Sequence, residues 1–133
     1  MYQPLLAQSI IDSLVAVQTG EHRAAKSLSV VLGDDELLKE LNHEYRGYDE
    51  PTDVLAFDLS DDPAGEVEGD IYISMERAAF QATQCGDKPI KETVRLAVHG
   101  YLHLCGWDHD DDDSLRNMVE CGEKYIVVIE GDD

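Results

Sequence analysis

The sequence predicts an α+β domain: a small mixed β-sheet covered by helices, with a metal site on a buried helix and the turn after it. Three observations carry that expectation. Helix-period and strand-like segments are mixed along the chain, which argues α+β or mixed α/β with a small sheet covered by helices. At 133 residues there is material for one hydrophobic core, so residues 1–133 read as a single domain. From Ile90 to Leu104 apolar residues recur so densely that this helix must be buried on much of its circumference.

The elements follow in order. Leu5 to Val17 places Leu6, Ile10, Leu14 and Val17 at helical spacing, with Leu5, Ile11 and Val15 beside them, and Gly20 is read as the helix end. Ser27 to Leu32 reads as a short buried strand. Asp34 is placed to cap a second helix, Asp35 to Tyr45, whose inner face is Leu37, Leu38 and Leu41. Gly47 and Pro51 bracket a turn. Thr52 to Leu59 is strand-like through Val54, Leu55 and Phe57. The acidic stretch Ser60 to Glu68, with Pro63 and Gly65, reads as a surface loop between strands. Asp70 to Ser74 is a third strand with Ile71 and Ile73 on one face. Ser74 can then cap a helix from Met75 to Gln84, with Arg77 on its polar side.

Pro89 opens the buried helix at a position where its missing N–H costs least, and Glu92 in the first turn suits the dipole. The aspartates Asp110 to Asp113 read as a solvated turn and N-cap. A last helix is expected from Ser114 to Ile129, interrupted at Gly122. The expected order is helix, strand, helix, strand, strand, helix, helix, helix.

Charge restricts the function. Asp and Glu number 29 against 10 Lys and Arg, a net charge of −19. That speaks against non-specific, charge-driven binding to nucleic acid or to an anionic membrane. It fits a high-salt cytoplasm, where screening removes the self-repulsion. No apolar run is long enough to span a membrane, and no basic segment precedes an apolar leader. Cys85, Cys105 and Cys121 lack Cys-x-x-Cys spacing and argue for free thiols in a reducing compartment, so a cytoplasmic location is expected.

The window from His99 to His109 holds three of the five histidines. On a helix, His99 and His103 lie one turn apart on the same face and can point two imidazoles at one ion. Gly106 permits a positive φ, so the chain can turn and return His109 as a third ligand. Three imidazoles and an open fourth position describe a catalytic zinc ion rather than a structural one. Cys105, two residues past His103, should point away from that face. His22 and His43 read as ordinary surface or core residues. The spacing matches the zinc-peptidase motif H-E-x-x-H-x-x-G-x-x-H, except that Gly100 replaces the glutamate that serves there as general base. A metal-bound water can still be acidified, with the base supplied from elsewhere.

Residues 99–109 match, at every fixed position, a signature that looks like H-G-x-L-H-L-x-G-[YW]-D-H. In this the chain resembles the YbeY-type endoribonucleases, rRNA maturation factors. Two more blocks are similar: Leu41-Asn42-His43-Glu44-Tyr45-Arg46-Gly47 followed by Pro51-Thr52-Asp53-Val54-Leu55-Ala56-Phe57, and Gly69-Asp70-Ile71-Tyr72-Ile73-Ser74. The chain departs from the family's common pattern at Ala56, Asp58 and Asp110, where Ser, Pro and Glu are usual. It also begins at its first helix, without the family's usual N-terminal strand.

The resemblance implies one Zn2+ ion on His99, His103 and His109, with Arg46 and His99 as catalytic residues. It implies single-stranded RNA as substrate, late maturation of the 3′ end of small-subunit ribosomal RNA, and association with ribosomes or small-subunit factors. The chemistry of Arg46 agrees, because a guanidinium grips phosphate oxygens in a fork and can stabilise charge developing there. Its plain alternative is a surface ion pair with Glu44 or Asp49. Asp108 reads as a partner of a ligand or a cap, and Asp53 and Asp70 as structural. Two rival functions remain: a metallopeptidase, disfavoured by Gly100, and a non-catalytic metal-binding ribosome-assembly module.

Overall fold

The computed structural model describes residues 4–50, 52–62, 64–107 and 111–129; Pro51, Pro63, Asp108, His109 and Asp110 lie outside them. The described elements are α1 (Pro4–Glu21), β1 (Ala25–Gly33), α2 (Asp35–Arg46), β2 (Val54–Asp58), β3 (Val67–Ser74), α3 (Met75–Cys85), α4 (Pro89–Leu104) and α5 (Asp112–Glu123). Their order is the one the sequence predicts.

The sheet order is β1-β3-β2, with β1 parallel and β2 antiparallel to the central β3. Strand periodicity divides β3 between two faces. Val67, Ile71 and Ile73 are buried in the main core with Leu6, Ile10, Leu14 and Val17 of α1 and the inner side of α4. On the other face, Leu55 of β2 and Leu38 of α2 are buried. Helix α4 is the interior helix: Val94, Ala97, Val98, Tyr101 and Leu102 are at most 1 % exposed. Burying side chains of the size of Val94, Val98 and Leu102 is worth roughly 1.5–3 kcal/mol each.

Gly100 lets α4 lie close on the sheet. A Cβ there would stand 2.8 Å from Ile71 Cγ2.

The caps form where the sequence places them. Asp34 accepts a hydrogen bond from the Leu37 amide at 2.9 Å, and Ser74 Oγ accepts one from the Arg77 amide at 3.2 Å. Asp111 and Ser114 close a capping box at the start of α5.

Several boundaries shift by a few residues, β3 for one starting at Val67 inside the stretch read as a loop, and two differ for reasons of packing. Helix α1 runs through Gly20 to Glu21, and the chain leaves it at His22, which has φ 55°. Gly20 is there for room: the Tyr125 ring lies against it, and a Cβ would meet that ring at 2.4 Å. Helix α5 ends at Glu123, well short of Ile129, with Gly122 in its last turn. The apolar run after it imitates a helix in sequence but lies along α1. Ser13 Oγ accepts from the Val127 amide at 2.8 Å, and Ser9 Oγ accepts from the Ile129 amide at 2.9 Å. Both serines are fully buried, one helical turn apart, and they satisfy backbone that would otherwise be orphaned.

Candidate functional site

The site is built on the last two turns of α4. His99 and His103 project from one face, with ring centroids 4.7 Å apart and Nε2 atoms 3.1 Å apart. The helix then ends in a Schellman turn. The Gly106 amide bonds the His103 carbonyl at 3.0 Å and the Trp107 amide bonds the Leu102 carbonyl at 3.0 Å, with Gly106 at φ 105°. That turn carries the Trp107 carbonyl to 3.1 Å from His103 Nδ1. An imidazole that donates from Nδ1 keeps its lone pair on Nε2, the atom facing His99.

This pair fits a metal ion. Two imidazole nitrogens bound at about 2.0–2.1 Å to a tetrahedral ion stand about 3.3 Å apart, close to the separation found. Among the described residues no third imidazole, thiol or carboxylate completes a metal-binding group. The expected third ligand, His109, lies outside the described residues. Cys105 is not a substitute. It packs against the core and joins no metal-binding group among the described residues; burial pushes its thiol up to about 11.

Trp107 is anchored in turn. Its indole N–H donates to Glu21 Oε1 at 2.6 Å, and the Tyr125 hydroxyl donates to Glu21 Oε2 at 2.6 Å. Burial alone would raise the Glu21 carboxyl. The hydrogen bonds from Tyr125 and Trp107, with the nearby charge of Lys124, outweigh it and hold the group below its ordinary value. The end of α1 therefore fixes the residue whose carbonyl orients His103.

The two histidines open onto a cavity of ≈ 780 Å³, whose opposite wall is Tyr45 and Arg46 at the end of α2 with Val54 and Ala56 of β2. Arg46 is the final residue of α2. Gly47, in the left-handed region at φ 78°, stops the helix there and returns its amide to the Asn42 and His43 carbonyls. The Arg46 guanidinium lies 5.8 Å from the centre of the Tyr48 ring. Among the described residues neither Glu44 nor Asp49 forms an ion pair with it. Arg46 and the histidine pair, far apart in sequence, thus share one cavity.

Asp53 is on the same wall, with a structural task. Its Oδ1 accepts from the Val54 amide at 2.8 Å and its Oδ2 from Gln81 Nε2 at 3.1 Å, tying α3 to the start of β2. A second, more apolar cavity of ≈ 360 Å³ continues past His99 between α4 and α5. The arginine there, Arg95, is engaged by Glu92, by Asp87 at 3.2 Å and by Glu123 at 2.6 Å. Cationic reach into the site thus comes from the α2 side.

The sequence reading missed Trp107, Glu21 and Tyr45. Trp107 stands four residues after His103, which hints at a returning carbonyl. Tyr45 adjoins Arg46. No local signal marks Glu21, whose partners lie 86 and 104 residues away in sequence.

Residues 4–129 match the family described as endoribonuclease YbeY. The chain belongs to that family. An endoribonuclease YbeY of Carboxydothermus hydrogenoformans is 43 % identical over 121 residues, covering 91 % of this chain and 85 % of that protein. The endoribonuclease YbeY of Moorella thermoacetica is 47 % identical over 112 residues, 77 % of this chain and 72 % of the relative. A Thermotoga maritima protein solved in solution superposes with a TM-score of 0.64 at 32 % identity, covering 90 % of this chain and 78 % of that one. The histidine pair and Arg46 fall inside the stretch that matches the YbeY family. No helix among the described residues is long and apolar enough to cross a membrane.

Proposed function

We propose that this protein is a zinc-dependent, single-strand-specific endoribonuclease that acts in the cytoplasm on ribosomal RNA. Its task is the late maturation of the 3′ end of small-subunit RNA, in association with the ribosome or small-subunit factors. The observation that carries this reading is the shared cavity. It sets two imidazoles, one of them oriented by the Trp107 carbonyl, opposite an arginine with no carboxylate partner among the described residues, in a chain of the endoribonuclease YbeY family.

In this reading His99, His103 and His109 hold one ion. Bound there, the ion supplies Lewis acidity toward a phosphoryl oxygen or a bound water. The residues of the chain do the rest. The Trp107 carbonyl keeps the proton of His103 on Nδ1, so that Nε2 stays a lone-pair donor. Arg46 grips the non-bridging oxygens of the phosphodiester and stabilises the charge that grows on them. The peptidase alternative lacks the base its motif carries at this position: a Cβ on residue 100 would stand 2.8 Å from Ile71 Cγ2, so a side chain there must displace that isoleucine.

The test is single-turnover cleavage of a single-stranded RNA, with metal content measured on the same preparations. Arg46→Ala should stay folded, keep its metal and cleave about a hundredfold more slowly, the usual cost of one lost charge-stabilising donor. Arg46→Lys should recover only part, because the fork is gone. His103→Ala should lose metal and activity together. Cleavage by Arg46→Ala at the parent rate removes Arg46 from the site. Cut peptide with intact RNA, or no product with metal retained, would favour the peptidase or the assembly module instead.

A further inference from the structure

We propose that the ring of Tyr45 is a stacking platform for an unpaired nucleobase, beside the phosphate that Arg46 holds. The proposal rests on the ribonuclease reading and adds to it the group that receives the base. Tyr45 lines the same cavity as His99, His103 and Arg46, yet is 63 % exposed. Its ring is not loose. It meets Phe57 edge-to-face at 5.3 Å and 65°, and Phe57 meets Tyr72 in the same manner at 5.7 Å and 77°. Three rings from α2, β2 and β3 thus form a ladder whose outermost member stands at the cavity rim. A ring held this way loses little freedom when a flat partner settles on it.

The position suits a base. Tyr45 and Arg46 both line the cavity wall, so a phosphate on one and the base of a neighbouring nucleotide on the other match the alternation of an RNA strand. Charge favours such a platform. At −19 this chain repels a polyanion, which weakens phosphate-driven affinity beyond the contact with Arg46. Stacking does not depend on the sign of the protein's charge, tolerates any base, and requires a strand whose bases are not already paired. That last requirement gives a physical origin to single-strand selectivity.

The experiment uses the metal-loaded protein and a short single-stranded RNA with one cut site, read as the single-turnover rate against protein concentration. Tyr45→Ala should raise the half-saturating concentration about five- to a hundredfold, the range for one lost base stack, with the saturated rate within about twofold of the parent. Tyr45→Phe and Tyr45→Trp should behave as the parent. Tyr45→Leu keeps apolar volume against Phe57 but offers no π face, and should behave as Tyr45→Ala. An abasic nucleotide beside the cut should weaken the parent as much as Tyr45→Ala does, and weaken Tyr45→Ala no further. Unchanged half-saturation in both Tyr45→Ala and Tyr45→Leu, or abasic and Tyr45 effects that simply add, overturns the platform while the nuclease stands. A parent protein that cuts no RNA overturns the nuclease reading, and the platform with it.

Discussion

Replacing Gly100 with alanine tests how the site is seated. The new Cβ would stand 2.8 Å from Ile71 Cγ2 and 3.3 Å from its Cγ1 and Cδ1. Carbon atoms rest about 3.5–4.0 Å apart, so the closest contact is short by about 1 Å. Ile71 is fully buried on the central strand and has no open side to retreat to. Overpacking of this kind costs about 1–3 kcal/mol. Alanine gives back about 1 kcal/mol through helix propensity. With a fully enclosed neighbour the upper part of the overpacking range applies, and the net loss should be about 1–2 kcal/mol. For a chain of this size that is a fall in Tm of about 3–10 °C.

Thermal and urea melts at fixed ionic strength measure it. Ile71→Leu removes the offending Cγ2, so the double variant should lose less than the sum of the two single changes. Because α4 carries His99 and His103, metal affinity should fall along with stability. A Gly100→Ala protein that melts at or above the parent temperature would refute the close seat of α4 on β3.

Two further outcomes are expected. The Glu21 carboxyl is held below its ordinary value, so its contribution is present at neutral pH and is lost as pH falls through its folded value, below about 4.5. Glu21→Gln should therefore be less stable than the parent at pH 7, with the gap closing in acid; a gap that is constant from pH 7 to 3 removes the assignment. The excess of carboxylates should make the fold more stable in molar potassium chloride than at low salt, and a melting temperature that is flat or falling across that series rejects self-repulsion as a cost to folding.

The order of all eight elements was legible because each rests on short-range chemistry. Asp34 and Ser74 cap, Pro89 opens a helix, and Ile71 and Ile73 alternate along a strand. The histidine pair was legible for the same reason, being one helical turn apart. What the sequence hid depends on distant partners. Gly20 looks like a helix stop until the Tyr125 ring is placed against it. The run from Ile126 to Ile129 looks helical until Ser9 and Ser13 of α1 supply its hydrogen bonds. The parallel pairing of β1 with β3, and the aromatic ladder from Tyr45 to Tyr72, are likewise set by contacts that no local period encodes.

The carbonyl that orients His103 belongs to the main chain, and this shapes which changes the site can absorb during divergence. Any residue at position 107 brings the same oxygen, so the tautomer of His103 does not depend on indole chemistry. A smaller residue there would loosen the anchor to Glu21 without deleting the acceptor. Position 105 is also open to exchange in this respect, since it contributes only backbone to the turn. The vulnerable point is Gly106. At φ 105°, every side chain strains the turn, and a shift of the peptide plane would take the acceptor away from the imidazole. The contact between His103 and the carbonyl should therefore be most sensitive at that one glycine, a dependence set by main-chain geometry instead of by contact with substrate, while Cys105 and Trp107 are constrained by their packing.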